Sequence, residues 1–170
     1  MLQLSGSPHP DPDPQHAGYP EPPLGAGYLS VEYDPRPTAA REARVEVRRQ
    51  LERWGLAERD AAGAGDGAGG DLVDVTELLV SELVTNALLH SRSRFRLTLS
   101  AAHGVLRCEV TDSGRRIPRV VEAGTSESGR GMFLVDALAL RWGCHQDGPG
   151  KTVWFELGTC GLDGCGRRQP

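Results

Sequence analysis

A chain of 170 residues, 25% charged and 38% hydrophobic, suffices for one domain with a sizeable core. Its formal charge of −4 resides in residues 1–37, which hold five acids and one arginine; the rest is neutral overall, which argues against a nucleic-acid groove. There is no apolar run of about 18 residues and no basic-then-apolar leader, so the expectation is a cytoplasmic protein with no membrane span and no signal peptide.

Nine of the twelve prolines fall in the first 37 residues. Proline blocks helix and removes backbone donors, and few large apolar side chains accompany it there, so residues 1–26 read as a disordered acidic tail. Tyr28–Tyr33 alternates and reads as a short strand. Thr38 follows Pro37 and can cap a helix reaching about Trp54. Ala40, Ala43, Val47, Leu51 and Trp54 form its apolar face, and Gly55 suits its end. Residues 61–70 are mostly Gly and Ala and read as a flexible loop. Asp71 or Asp74 opens a second helix that ends near His90, with Leu78, Leu79, Leu83, Ala87 and Leu88 at helical spacing.

Phe95, Leu97 and Leu99 alternate with polar residues, as do Leu106, Cys108 and Val110. Strands over 94–100 and 105–111 follow, joined by a turn at Ala102-His103-Gly104. Residues 113–128 show no periodicity. Met132–Leu140 reads as a third helix and Arg141–His145 as the start of a strand. Asp147–Gly150 is a turn, and Thr152–Leu157 is the last strand, with Val153, Phe155 and Leu157 facing inward. Residues 158–170 read as a flexible tail; its Cys160 and Cys165 have no partner pair at zinc-site spacing. The fold class expected for residues 27–157 is α/β, a two-layer sandwich of a mixed, mainly antiparallel sheet with helices on one face.

Three segments carry chemistry. Glu82, Asn86 and His90 recur every four residues, and at about 3.6 residues per turn they fall near one edge of the second helix. An aligned carboxylate, carboxamide and imidazole suit holding a hydrated cation and activating a hydroxyl; the plain alternative is the solvent edge of an amphipathic helix. For His90, capping of the helix C-terminus is a further alternative. Val110-Thr111-Asp112-Ser113-Gly114 ends an alternating run on Asp with Gly close behind, which alone is an ordinary turn. Gly129-Arg130-Gly131 opens the third helix, where free backbone N–H groups and the helix dipole favour an anion, although many helices begin after glycine.

This order of motifs resembles the GHKL ATPase superfamily, which includes histidine kinases, gyrase-type ATPases and anti-sigma-factor serine/threonine kinases. The resemblance runs over roughly residues 38–157. Ser81-Glu82-Leu83-Val84-Thr85-Asn86-Ala87 is most similar to the anti-sigma kinases. It implies the Bergerat ATP-binding fold, with ATP and Mg²⁺ as cofactors. Asn86 would be the metal ligand and Glu82 the catalytic base. Asp112 would accept from the exocyclic amine of adenine, Gly114 would admit the base, and Gly129 and Gly131 would face phosphate. Thr152, ahead of its neighbour Lys151, would lie beside the nucleotide. Residues 115–128 would form the lid. Arg116 stands where the family pattern Asp-x-Gly-x-Gly has its second glycine.

The implied partners are a sigma factor and a STAS-type anti-anti-sigma protein phosphorylated on serine. Neither direct nucleic-acid contact nor a membrane is implied, and a homodimer rests on the resemblance alone. The alternative function is a non-catalytic module of the same fold acting through protein–protein contacts.

Overall fold

The computed structural model describes residues 27–57, 72–120 and 130–159. The expected acidic tail, the Gly/Ala loop at 61–70, lid residues 121–128, Gly129 and the two cysteines of the C-terminal tail lie outside the described residues.

In chain order the elements are β1 (Gly27–Tyr33), α1 (Ala39–Arg53), α2 (Leu72–His90), β2 (Phe95–Ala102), β3 (Val105–Asp112), α3 (Arg130–Leu138), β4 (Arg141–Asp147) and β5 (Gly150–Gly158). The strands form one sheet in the order β1-β2-β3-β5-β4. Every neighbouring pair is antiparallel, so the mainly antiparallel expectation narrows to a wholly antiparallel sheet. Ala102 pairs with Val105, leaving His103 (φ 52°) and Gly104 (φ 76°) as a two-residue hairpin loop. Positive φ at both central residues matches the turn to the twist of the flanking strands. The last strand continues one residue past Leu157, and the Thr159 N–H donates to Gly104 O at 2.9 Å.

Alternation decides which side chains face the helices. Phe95, Leu97 and Leu99 on β2 are buried, as are Leu106, Cys108 and Val110 on β3 and Val153, Phe155 and Leu157 on β5. In an antiparallel pair, residues directly opposite one another share a face. Val110 opposes Val153 and Cys108 opposes Phe155, so these rows make one apolar surface. The other face carries polar pairs. Arg107 lies over the Trp154 ring at 3.9 Å, and Glu156 accepts from Arg107 Nη1 at 2.9 Å and Arg141 Nε at 2.8 Å.

Helix α2 covers the apolar surface with Val73, Leu79, Val80, Leu83, Val84 and Ala87, all fully or nearly fully buried. Each such leucine or valine contributes about 1.5–3 kcal/mol relative to an exposed position. Leu78, expected on this face, is 40% exposed; the buried stripe is displaced by a residue or two because α2 packs against α1 as well as the sheet. Arg48 of α1 ties the two helices at the surface through Glu77 (2.7 Å) and Asp74 (3.0 Å) of α2. Helix α1 ends as expected. Gly55 has φ 67°, its N–H donates to Glu52 O, and the Leu56 N–H donates to Leu51 O. Those two bonds form a Schellman motif, which glycine favours at the left-handed position. At the other end Thr38 differs from expectation. Its backbone is already helical and its hydroxyl donates to Glu42 Oε1 at 2.7 Å, so it makes no side-chain cap on the backbone. No described helix is long and apolar enough to cross a membrane.

Candidate functional site

Glu82, Asn86 and His90 lie one turn apart along α2 and span about 12 Å of its axis at 1.5 Å per residue. All three are half-buried. At one end of this row Glu82 meets α3. A Cβ added at Gly131 would collide with Glu82 Oε2, so the carboxylate lies directly against the first turn of α3. A side chain at this position would make the Glu82 carboxylate shift away from the turn. The first backbone N–H groups of a helix lack intrahelical partners and carry its positive dipole end. A carboxylate and a set of anion-seeking donors are therefore adjacent.

In the middle, Asn86 Oδ1 is buried and has no hydrogen-bond partner, the one such side-chain atom among the described residues. An unpaired buried acceptor costs about 1–3 kcal/mol. A neutral carboxamide oxygen with unused lone pairs is a suitable ligand for a hard cation such as Mg²⁺, which takes few protein ligands when phosphate oxygens supply others. The donor chemistry at Asn86 thus fits the metal implied by the sequence.

At the far end, the C-terminus of α2 abuts the turn that leaves β3. A Cβ at Gly114 would sit 2.7 Å from His90 O and 2.8 Å from Asp112 Oδ1, so glycine is sterically required. Asp112 is 3% exposed. Its Oδ1 accepts from the Gly114 N–H at 2.6 Å, and its Oδ2 faces Lys151 Nζ at 3.6 Å. The second distance is an ion pair too long for a hydrogen bond, so Oδ2 retains capacity for another donor. Burial pushes the Asp112 carboxyl up, against the lowering effects of the Gly114 N–H, Lys151 and His90. Burial also lowers the His90 imidazole, aided by the positive Lys151 and Arg116 and opposed by Asp112.

One feature was not anticipated from sequence. Ser91, Ser93 and Ser113 join their hydroxyls across the α2 and β3 ends, with Ser91 Oγ 2.9 Å from Ser93 Oγ and 3.0 Å from Ser113 Oγ. Of the two neighbours expected near the nucleotide, it is Lys151, ranked behind Thr152 in the sequence, that stands beside Asp112. The β3–β5 register sets Asp112 opposite Lys151 and Thr111 opposite Thr152. Thr152 accordingly lies on the other face, its Oγ1 2.9 Å from Thr111 Oγ1 and away from the Asp112 carboxylate. Counting back by twos from the inward Val153 reaches Lys151, so the strand period carried the signal. Gly129 lies outside the described residues. A depression of about 340 Å³ lined by Glu32, Tyr33, Asp34, Arg36, Glu42 and Arg94 shares no residue with this row.

A profile of the histidine kinase-like ATPase domain matches residues 33–157, well over half of the chain. The chain belongs to the histidine kinase-like ATPase family. The chain is 38% identical over 84 residues to the uncharacterized protein SCO4941 of Streptomyces coelicolor, an alignment covering 45% of this chain and 79% of that one. The solved structure of the RsbU and RsbW domains of Rv1364c from Mycobacterium tuberculosis superposes with a TM-score of 0.54 at 20% identity, covering 76% of this chain. The matched part is 31% of that longer protein, and the likeness is one of fold. Histidine kinase-like membership agrees with the antiparallel sheet and the helices packed on one face of it.

Proposed function

We propose that this protein is an ATP-binding anti-sigma regulatory factor that phosphorylates a serine on a STAS-type anti-anti-sigma partner. The observation that carries the reading is the buried, unpartnered Asn86 oxygen, one turn from a carboxylate at a helix N-terminus and one turn from the end holding Asp112. The similarity of Ser81–Ala87 to the anti-sigma kinases, and the RsbW domain in a structural neighbour, favour this branch.

In this reading Asp112 Oδ2 accepts from the adenine amine, and Gly114 leaves room for the base. Guanine presents a carbonyl where adenine has the amine, so it would set acceptor against acceptor. The first turn of α3, with Gly131, donates backbone N–H groups to phosphate oxygens. Mg²⁺, when bound, neutralises phosphate charge, and Asn86 is the residue that would hold it. The partner's serine oxygen bonds to the γ-phosphorus as the bond to the β–γ bridging oxygen breaks, leaving ADP. Glu82 takes the hydroxyl proton. In such transfers, positioning and electrostatics supply most of the catalysis, so one base and one ligand are a sufficient protein contribution.

A second reading, a non-catalytic module of the same fold, is favoured by one observation. Arg116 replaces a glycine of the family pattern, and its carbonyl is held by Lys151 at 2.8 Å, which restrains the start of the loop. Incubation with labelled ATP, Mg²⁺ and anti-anti-sigma proteins encoded in the same genome distinguishes the two. Label on a partner serine supports the kinase; tight ATP binding with no transfer to any partner supports the module.

A further inference from the structure

Lys151 is the sole lysine of a chain with eighteen arginines, and its side chain is fully buried. A buried ammonium persists only where its charge and donors are met. Two groups meet them: Arg116 O accepts from Nζ at 2.8 Å, and Asp112 Oδ2 lies at 3.6 Å. The strand register holds this arrangement rigidly. Asp112 and Lys151 are direct partners across β3 and β5, on the face that continues through Val110 and Val153. A Cβ at the preceding Gly150 would lie 2.5 Å from Asp112 O, so β5 enters the pair at a backbone approach that leaves no room for a side chain. The other end of the loop start is also tied, since Gln146 Nε2 donates to Arg115 O at 3.1 Å.

We propose that Lys151 is a positioning residue for purine recognition, acting through Asp112. Its ammonium keeps the buried carboxylate in the acceptor-only form and binds the Arg116 carbonyl to the same point, fixing the loop that departs from the family's glycine pattern. The purine half of this inference rests on the function proposed above. A neutral carboxyl would present an O–H where an adenine amine needs an acceptor, so the charge of Asp112 is decisive for the base it takes. Burial already opposes that charge. The groups facing it are Lys151 on β5, His90 on α2, the Gly114 N–H in the turn and, bordering the pair, Cys144 on β4 and Arg116 in the loop. Only Lys151 among them is an opposite charge in direct ion-pair range. Protonation of His90 at low pH supports the ionised carboxylate and so diminishes, but does not reverse, the effect of losing Lys151.

The test is a double-mutant cycle of Lys151→Met and Asp112→Asn, with two readouts on the full chain: affinity for ATP between pH 5.5 and 8.5, and the Asp112 carboxyl titration followed by carbon NMR. Lys151→Met is expected to weaken ATP by roughly tenfold or more at the acid end, the size of a lost buried hydrogen bond, and to recover as pH rises. The Asp112 titration should move upward in the same variant. With Asn at position 112, adding Lys151→Met should weaken ATP much less, because the two residues act as one unit. If Lys151→Met alone does not fold, the pair Asp112→Asn with Lys151→Met is expected to fold because it leaves no unpaired buried charge, and wild-type titration against Asp112→Asn still reports whether the carboxyl stays ionised through pH 6 to 8. Equal ATP affinity of wild type and Lys151→Met at every pH overturns the inference, as does an Asp112 carboxyl that titrates alike in both or is protonated at neutral pH in the wild type. Absence of any nucleotide binding by the wild type, with Asp112 ionised and dependent on Lys151, overturns the proposed function and the purine half while leaving the charge-holding role supported.

Discussion

Asn86→Ala separates function from stability in opposite directions. The wild-type side chain buries an oxygen without a partner, at a cost of about 1–3 kcal/mol. Asn is also a weaker helix former than Ala by roughly 0.6 kcal/mol in mid-helix. Lost packing of the half-buried side chain takes back part of this. Metal-free, nucleotide-free Asn86→Ala should therefore be as stable as wild type or more stable by about 1–2 kcal/mol, a rise of about 3–8 °C in Tm for a domain of this size. With Mg²⁺ and ATP the order reverses. A ligand at one hundred times its Kd stabilises the native state by about 2.7 kcal/mol, and the variant should lose most of that gain. Thermal unfolding of both proteins, with and without Mg-ATP, reads all four numbers, and calorimetry gives the affinities. A ligand-free variant less stable than wild type by more than 1 kcal/mol, binding Mg-ATP with unchanged affinity, would refute both the orphaned-acceptor argument and the ligand role.

Glu82→Ala should keep ATP affinity, because a base acting in the transition state adds little to ground-state binding, while partner phosphorylation falls roughly 10²–10⁴-fold; wild-type-like transfer in a radiolabel assay sinks the role. Asp112→Asn should weaken ATP more than GTP, since the amide can present a donor to the adenine amine; equal shifts in competition binding remove Asp112 as the adenine reader. Burial raises the Glu156 carboxyl, but the Arg107 and Arg141 hydrogen bonds and charges outweigh it and hold the group below the ordinary 4.5. Its folded-state value is thus depressed, so the associated stability is present above pH 4.5 and is lost as pH falls through the lower folded value. Glu156→Gln should flatten that acid loss in a pH series of denaturation midpoints, and an identical acid slope would contradict the ion-pair account. Removing residues 1–26 should leave Tm nearly unchanged, because a Pro-rich acidic segment has little apolar surface to bury; a large drop would show that it packs on the domain.

Much of this architecture is visible in the residues because local signals and global packing agree. Alternation in Phe95–Leu99 and Leu106–Val110 predicts the faces of β2 and β3, and Gly55 predicts the C-terminal cap of α1. Glu82 and Asn86 are legible by spacing, and Gly131 by its position at a helix start. What escapes local reading depends on contacts between distant segments. The α2 stripe shifts off Leu78 because two surfaces, not one, press on that helix. Thr38 has a capping residue's chemistry, yet it sits in a turn closed by the Ala39 N–H on Arg36 O, its backbone is already helical and its hydroxyl bonds Glu42. Lys151 follows the strand period, but a lone charge on an inward position is normally excluded by desolvation, and only the β3–β5 register reveals the carboxylate that admits it. The Ser91–Ser93–Ser113 cluster has no sequence signal, because it forms only when the ends of α2 and β3 meet.

Nucleotide binding along the Glu82–Asn86–Asp112 row is decided by a crystal structure with Mg²⁺ and a non-hydrolysable ATP analogue. That structure should show the adenine amine within hydrogen-bond distance of Asp112 Oδ2, phosphate oxygens at the first turn of α3 beside Glu82, and the metal on Asn86 Oδ1. A nucleotide bound elsewhere, or bound here with Asn86 Oδ1 still unpartnered, would contradict this placement.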